Sequence, residues 1–234
     1  MAEVKARRLA WLGLGLLLAA GLARLGLWQW HRGAEKEVML ARVQAVLAQR
    51  RALPLDAART ADGYAWAAGR GRFLPGPVLL LDNQRRGAVV GVQVLAPFQP
   101  QAGAPLLVEL GWLPVPANRR MPRAKLPSGE VAVAGLLMSP PAAGLALGAD
   151  HVVQGDHWLL TRVDVPALSR ATRLPLAPRV LRLDPALPMG YARDLDILPN
   201  TLPPERHRGY ALQWFGLSAT LLAIIVFLFL RRRP

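Results

Sequence analysis

Two long apolar runs bracket this chain, and the stretch between them follows a different pattern. Residues 9–23 carry no charged side chain. Arg24 interrupts the run, after which Leu25, Gly26, Leu27, Trp28 and Trp30 continue it. A membrane crossing takes roughly 20 mainly apolar residues, and residues 9–28 supply them. Arg24 falls within about one turn of the end, where a long basic side chain can snorkel to the headgroups. Trp28 and Trp30 suit the interfacial belt. Residues 210–230 also lack charge, with Gln213, Ser218 and Thr220 as polar side chains, and Arg231, Arg232 and Arg233 follow at once. Both runs read as transmembrane helices. The rival for the first is a cleaved signal peptide, with Lys5, Arg7 and Arg8 as its basic start and Gly21-Leu22-Ala23 as its small-residue site. The rival for the second is a buried core helix. Gly15 and Ala19 on one span, and Gly216 and Thr220 on the other, are small residues four apart, the spacing that lets helices approach closely.

Between the spans the apolar period changes. Val38, Met39, Val43, Val46 and Leu47 recur at three- and four-residue steps, which predicts a helix over residues 34–50 that extends from the first span or turns off it. After Pro54 the apolar runs are short and punctuated by turn residues. Residues 64–73, 78–81, 88–95, 106–113, 131–138, 152–153, 158–161 and 180–183 read as strands, and residues 164–169 as one short helix. Arg86-Gly87 marks a turn. Short strands at this spacing predict a mainly antiparallel, barrel-like α+β domain, since closure removes exposed edges. The expected organisation is a terminal segment 1–8, a span 9–28, a helical connector 29–53, a β-rich domain 54–197, a linker 198–209, a span 210–230 and a tail 231–234.

Charge sets the orientation. The 234 residues carry a net charge of +14, with 29 basic side chains of which only Lys5, Lys36 and Lys125 are lysine. The basic residues flanking the spans are Lys5, Arg7 and Arg8 at one end and Arg231, Arg232 and Arg233 at the other. Positive short flanks stay in the cytoplasm, so both termini are expected there and the central domain outside, in a bacterial periplasm or a mitochondrial intermembrane space. That placement, with arginines scattered rather than clustered, argues against nucleic acid as a partner. There are no cysteines, which excludes disulfides, thiolate metal sites and cysteine nucleophiles.

Candidate chemistry is sparse. The chain holds no glycine-rich phosphate loop, no paired zinc histidines on a helix and no nucleophile elbow, so it does not read as an enzyme. His151 and His157, with Asp150 and Asp156 beside them, have the residue types of a metal site, but the plainer reading is surface loop residues that flank a strand. His31 and His207 each lie just outside a span on the same side of the membrane. If the helices pack, the two imidazoles could approach one another, and neutral imidazole is a common axial ligand for haem iron. The plainer reading is a histidine that hydrogen-bonds a headgroup or a carbonyl.

The run Glu205-Arg206-His207-Arg208-Gly209-Tyr210-Ala211-Leu212-Gln213-Trp214-Phe215 resembles the His-x-x-Tyr-Ala-x-x-Trp-Phe signature of the Surfeit locus 1 family, assembly factors of haem-copper cytochrome c oxidase. Leu25-Gly26-Leu27-Trp28-Gln29, with Arg32 and Lys36, is similar to that family's exit from its first span. Tyr64 through Gly71-Arg72-Phe73 is similar to its first strand. Leu81-Asp82-Asn83-Gln84-Arg85 with Gly87, Gly91 and Pro97 resembles its Asp-Asn-Arg strand pair. Leu107-Val108-Glu109-Leu110-Gly111-Trp112-Leu113-Pro114 resembles its Val-Asn-Arg-Gly-Trp-Val-Pro block, with Glu109 and Leu110 standing where Asn and Arg are usual. His31 is not a position that the signature fixes.

The resemblance implies a multi-pass protein of the bacterial inner membrane that keeps its first helix and is not cleaved. It implies a role in assembling cytochrome c oxidase subunit I by binding or handing over haem a, with haem a synthase as a further partner. His207 is the implicated haem position. On that footing Tyr210, Trp214 and Phe215 would line the ring, and Arg206 and Arg208 would meet its propionates. His31 as a second ligand rests on its place beside the first span and not on the resemblance. The alternative is a cofactor-free scaffold that stabilises subunit I.

Overall fold

The computed structural model describes residues 2–141, 151–154, 156–197 and 201–231. It contains α1 (Ala2–Gln49), β1 (Ala52–Pro54), a 3-10 turn (Leu55–Arg59), β2 (Ala65–Phe73), β3 (Val78–Arg86), β4 (Val89–Pro100) and β5 (Leu106–Pro114). β6 (Val131–Met138), β7 (His151–Gln154), β8 (His157–Leu160), α2 (Val165–Thr172), β9 (Val180–Leu183) and α3 (Pro204–Leu230) follow. Internal contacts divide the chain into two units, residues 1–41 with 201–234, and residues 42–200. The fold is two transmembrane helices flanking a β-domain that contains a barrel.

The helical unit pairs α1 with α3. Both helices are long and apolar enough to cross a membrane, and both leave large apolar side chains uncovered, among them Leu17, Leu212 and Phe229. A water-soluble helix pair would bury such a surface, whereas lipid accepts it. The predicted helix over residues 34–50 is the continuation of α1, which runs unbroken to Gln49.

The seam between the helices repeats every seven residues. On α1 the buried positions that face α3 are Ala19, Gly26 and Gly33; on α3 they include Pro204, Ala211 and Ser218. Side chains at a seven-residue step share one face, and small ones let the backbones close. A Cβ added at Gly26 would lie 2.7 Å from the Phe215 ring, and one at Gly15 would lie 2.9 Å from Ile225. The Ser218 hydroxyl donates to the Ala19 carbonyl at 2.8 Å in the buried seam. Gly15 and Ala19 are therefore contact residues as expected. Gly216 and Thr220 are not: nothing lies within 4 Å of a Cβ at Gly216, and the Thr220 hydroxyl turns back to the Gly216 carbonyl at 2.8 Å. Ala211 and Ser218, one helical face away, take that place.

The other unit is a nine-stranded sheet in the order β1-β2-β6-β9-β5-β4-β3-β8-β7, with an additional β2–β4 pairing. That pairing closes β2, β6, β9, β5 and β4 into a barrel. Six of its strand pairs are antiparallel, while β1–β2, β3–β8 and β5–β9 are parallel. Side chains alternate between faces along a strand. Val92, Val94, Ala96 and Phe98 of β4, with Leu106, Val108 and Leu110 of β5, fill the interior. The opposite face, at Leu79, Leu81, Leu95 and Leu107, packs under Val165 and Leu168 of α2. α2 starts where Asp164 caps the Ala167 amide at 2.9 Å, the sort of side-chain cap that satisfies an orphan helix N–H. On a third face Val43, with Val46 and Leu47, packs on Leu136 and Met138 of β6.

Candidate functional site

The blocks that carry the family resemblance inside the β-domain form its frame. Asn83 adopts φ +56° at an irregularity in the β3–β4 ladder between Leu81 and Gln84, where Asp82 Oδ1 accepts from the Asn83 amide at 2.7 Å. Trp112 crosses β4 over Gly91, where a Cβ would fall 2.4 Å from the indole, and its Nε1 donates to the Gln84 carbonyl at 3.0 Å. Gly111 sits at φ +120° beside a bulge in β5, where the ladder skips Leu110. The bulge lets the chain at residues 191–192 bond across it: the Tyr191 amide donates to the Leu110 carbonyl and the Trp112 amide to the Ala192 carbonyl, both at 2.8 Å.

Glu109 and Leu110, the departures from the family pattern, are both structural. Leu110 is a barrel-interior side chain. Glu109 is 3% exposed and meets Arg182 of β9, which is 6% exposed, with Nε to Oε1 at 2.7 Å. Gln93 donates to the same carboxylate at 2.6 Å. Burial pushes the Glu109 carboxyl up from its ordinary range, and the Arg182 guanidinium opposes that.

The helical unit holds the other candidates. Pro203 and Pro204 open α3, a position where proline's fixed φ and missing N–H cost nothing, and they place His207 in the first turn facing α1. His207 is 7% exposed. Its Nδ1 lies 2.7 Å from Gln29 Oε1 of α1, and its Nε2 is buried with no hydrogen-bond partner. Gly33, one turn beyond Gln29, lies under the histidine: a Cβ there would sit in ordinary contact, 3.4 Å, with both His207 Cβ and the Pro204 carbonyl oxygen. Arg208 binds Glu37 at 2.6 Å, and the Lys36 ammonium donates to the Leu202 carbonyl. These contacts fix the start of α3 against α1.

The other expected site residues fall into three places. Phe215 is half-buried in the seam over Gly26, and Trp214 is half-buried beside it. Tyr210 and Arg206 are exposed on α3. His31 is exposed on α1. It lies two residues from both Gln29 and Gly33, so the 100° step of a helix turns it to the far side of α1, and the structure does not bring it to His207. The partner that does meet His207 is Gln29, a residue quoted in the Trp-Gln block but not singled out for chemistry. Of the possible metal group near β7 and β8, Asp150 lies outside the described residues. His157 Nδ1 is 3.1 Å from Asp156 Oδ1. Among the described residues no cluster of three or more His, Cys, Asp or Glu side chains is placed to hold a metal ion.

Comparison with known sequences matches residues 16–219 to the SURF1 family. Two relatives are each called a SURF1-like protein. The one from Monosiga brevicollis is 27% identical over 222 residues, which cover 87% of this chain and 82% of the relative. The one from Rickettsia conorii is 26% identical over 224 residues, covering 91% of this chain and 87% of the relative.

Proposed function

This chain belongs to the SURF1 (Surfeit locus 1) family, and from that premise we propose that it is an assembly factor for haem-copper cytochrome c oxidase that binds or hands over haem a for subunit I. The observation that carries the haem assignment is the buried, unpartnered Nε2 of His207. A buried polar nitrogen without a partner is costly and fits a group that arrives from elsewhere. Neutral imidazole nitrogen commonly holds haem iron, and Nε2 of His207 is the nitrogen that would hold it here.

Tyr210, Trp214 and Phe215 follow His207 along α3 and offer aromatic surface to a macrocycle. Arg206 is the exposed cation nearest in sequence for a propionate, whereas Arg208 is engaged by Glu37. The reading uses one histidine of this chain, not the pair His31 and His207. Contact between Gly26 and Phe215 closes the seam, so the ring must dock on its flank or the start of α3 must part from α1. That suits a carrier that gives its cargo up. It also favours the alternative, a cofactor-free scaffold for subunit I.

One experiment separates the two. The full chain, purified in detergent from cells that make haem a, is expected to show a Soret band that falls to background in His207→Ala. A wild-type protein with no Soret band leaves the scaffold reading. A band that survives His207→Ala unchanged keeps haem and removes His207 as the ligand. Haem a synthase and subunit I are the partners on this reading, in the bacterial inner membrane, with both termini cytoplasmic and the β-domain periplasmic. Alkaline phosphatase joined after residue 100 is expected to be active, and a silent fusion would place the domain in the cytoplasm.

A further inference from the structure

The geometry points to Gln29 as a positioning residue that fixes the tautomer of His207, holding the proton on Nδ1 so that Nε2 presents its lone pair. The consequence for iron rests on the haem reading above; the tautomer itself does not.

An amide oxygen has lone pairs and no proton, so the ring nitrogen 2.7 Å from Gln29 Oε1 must be the one that carries hydrogen. In a neutral ring the other nitrogen is then an acceptor. Neutral histidine in water favours the opposite tautomer, with the proton on Nε2, so the contact works against the side chain's own preference. Turning the amide over would present its NH₂ to Nδ1 and put the proton on Nε2. That proton would then be a buried donor with no acceptor, since Nε2 has no partner, and orphaned buried N–H groups are rarer than under-satisfied acceptors.

The backbone holds the ring in this register. Gly33 packs against this turn, its Cβ position lying in ordinary contact, 3.4 Å, with His207 Cβ and the Pro204 carbonyl oxygen. Arg208 with Glu37 and Lys36 with the Leu202 carbonyl pin the same turn. A ligating histidine commonly donates its second N–H to an oxygen that sets its orientation and raises its basicity, and loss of such a partner typically costs about 10–100-fold in metal affinity.

The test is nitrogen NMR on the haem-free full chain in detergent, labelled with ¹⁵N-histidine, with the His207 signals identified by their absence in His207→Ala. The expected wild-type pattern is a protonated Nδ1 and an unprotonated Nε2. Gln29→Leu is expected to shift His207 toward the Nε2-protonated form. Gln29→Glu is expected to keep the wild-type tautomer and move the Nδ1 signal further in the direction of a stronger hydrogen bond. A proton on Nε2 in the wild type, or shifts unmoved by Gln29→Leu, overturns the proposal. Should Gln29→Leu fail to fold, the wild-type pattern and the Gln29→Glu shift decide it. In protein loaded with haem a, Gln29→Leu is expected to weaken retention about 10–100-fold, with Gln29→Glu close to wild type; retention equal in all three overturns the role toward iron. A wild type that takes no haem removes the cofactor reading and leaves the tautomer result standing.

Discussion

Arg182→Met is expected to destabilise the β-domain by about 3–5 kcal/mol, the range found when one partner of a buried ion pair is removed. Arg182 and Glu109 face each other across the parallel β5–β9 pairing, 6% and 3% exposed. Methionine fills similar space but leaves Glu109 with only Gln93 as a donor, and it strips the Asp196 carbonyl of the guanidinium that donates to it. The cost therefore comes from a stranded carboxylate, and pH can unmask it. Burial already drives the Glu109 carboxyl upward with Arg182 opposing; without Arg182 the folded state holds that proton more tightly still. A folded-state pKa above the unfolded one gives stability at low pH that is lost as pH rises through the folded value. The deficit of Arg182→Met should thus shrink in acid and widen toward neutrality. The double variant Glu109→Leu/Arg182→Met should recover part of the loss, because no charge is left stranded. Urea midpoints of the full chain in detergent, read by near-ultraviolet circular dichroism, check both points. A double variant as unstable as the sum of the singles would mean the two side chains do not act as a pair.

The polar pair could be seen in the sequence only as a departure from a family pattern, since its partner lies 73 residues away on a strand whose neighbours were not predictable. What hydropathy does locate is local. Of the strands of eight residues or more, β2, β4, β5 and β6 follow from their apolar content and the turn residues around them, whereas β3 is apolar only over residues 78–81 and its polar half, to Arg86, does not show. β1 has three residues, too few to show a period. Strand order is another matter, because the parallel β3–β8 and β5–β9 pairings and the closing β2–β4 contact depend on non-local packing. At the membrane edge, residue type suggested His31 as a partner for His207, yet helical phase decides otherwise. The signal was present in Ala19, Gly26 and Gly33, three small residues at seven-residue steps that mark the face of α1 turned to α3. Gln29 lies on that face, one turn from Gly33, and His31 lies opposite. The same phase on α3 selects Ala211 and Ser218 over Gly216 and Thr220.

Gly71→Ala is expected to open the barrel at its closing contact and to cost about 2–3 kcal/mol, the upper end of the usual penalty for overpacking. Gly71 pairs with Val131 of β6 on one side and with Pro100 of β4 on the other, so both its edges are occupied. A Cβ there would fall 2.1 Å from the Gln99 carbonyl oxygen and 2.8 Å from both Phe98 Cε1 and Pro100 Cα. Two of those three atoms are backbone, which cannot swing aside as a side-chain tip can. Relief requires β4 to move away from β2. That would stretch the bonds from the Gln101 amide to the Arg70 carbonyl and from the Leu74 amide to the Pro97 carbonyl, both 2.9 Å. Phe98 would be carried with it, out of the interior where it is fully buried. Gly69, two residues earlier in the same strand, is the control: a Cβ there meets only side-chain atoms of Leu55, at 2.9 Å, and a rotamer change can absorb it. Both glycines lose the same backbone entropy on substitution, so the difference between them isolates the clash. Hydrogen exchange in the full chain should speed up at Leu74 and Gln101 in Gly71→Ala and stay near wild type in Gly69→Ala. Equal protection in the two variants would mean that the β2–β4 contact can yield, and that the glycine in the Gly-Arg-Phe block serves some purpose other than closing the barrel.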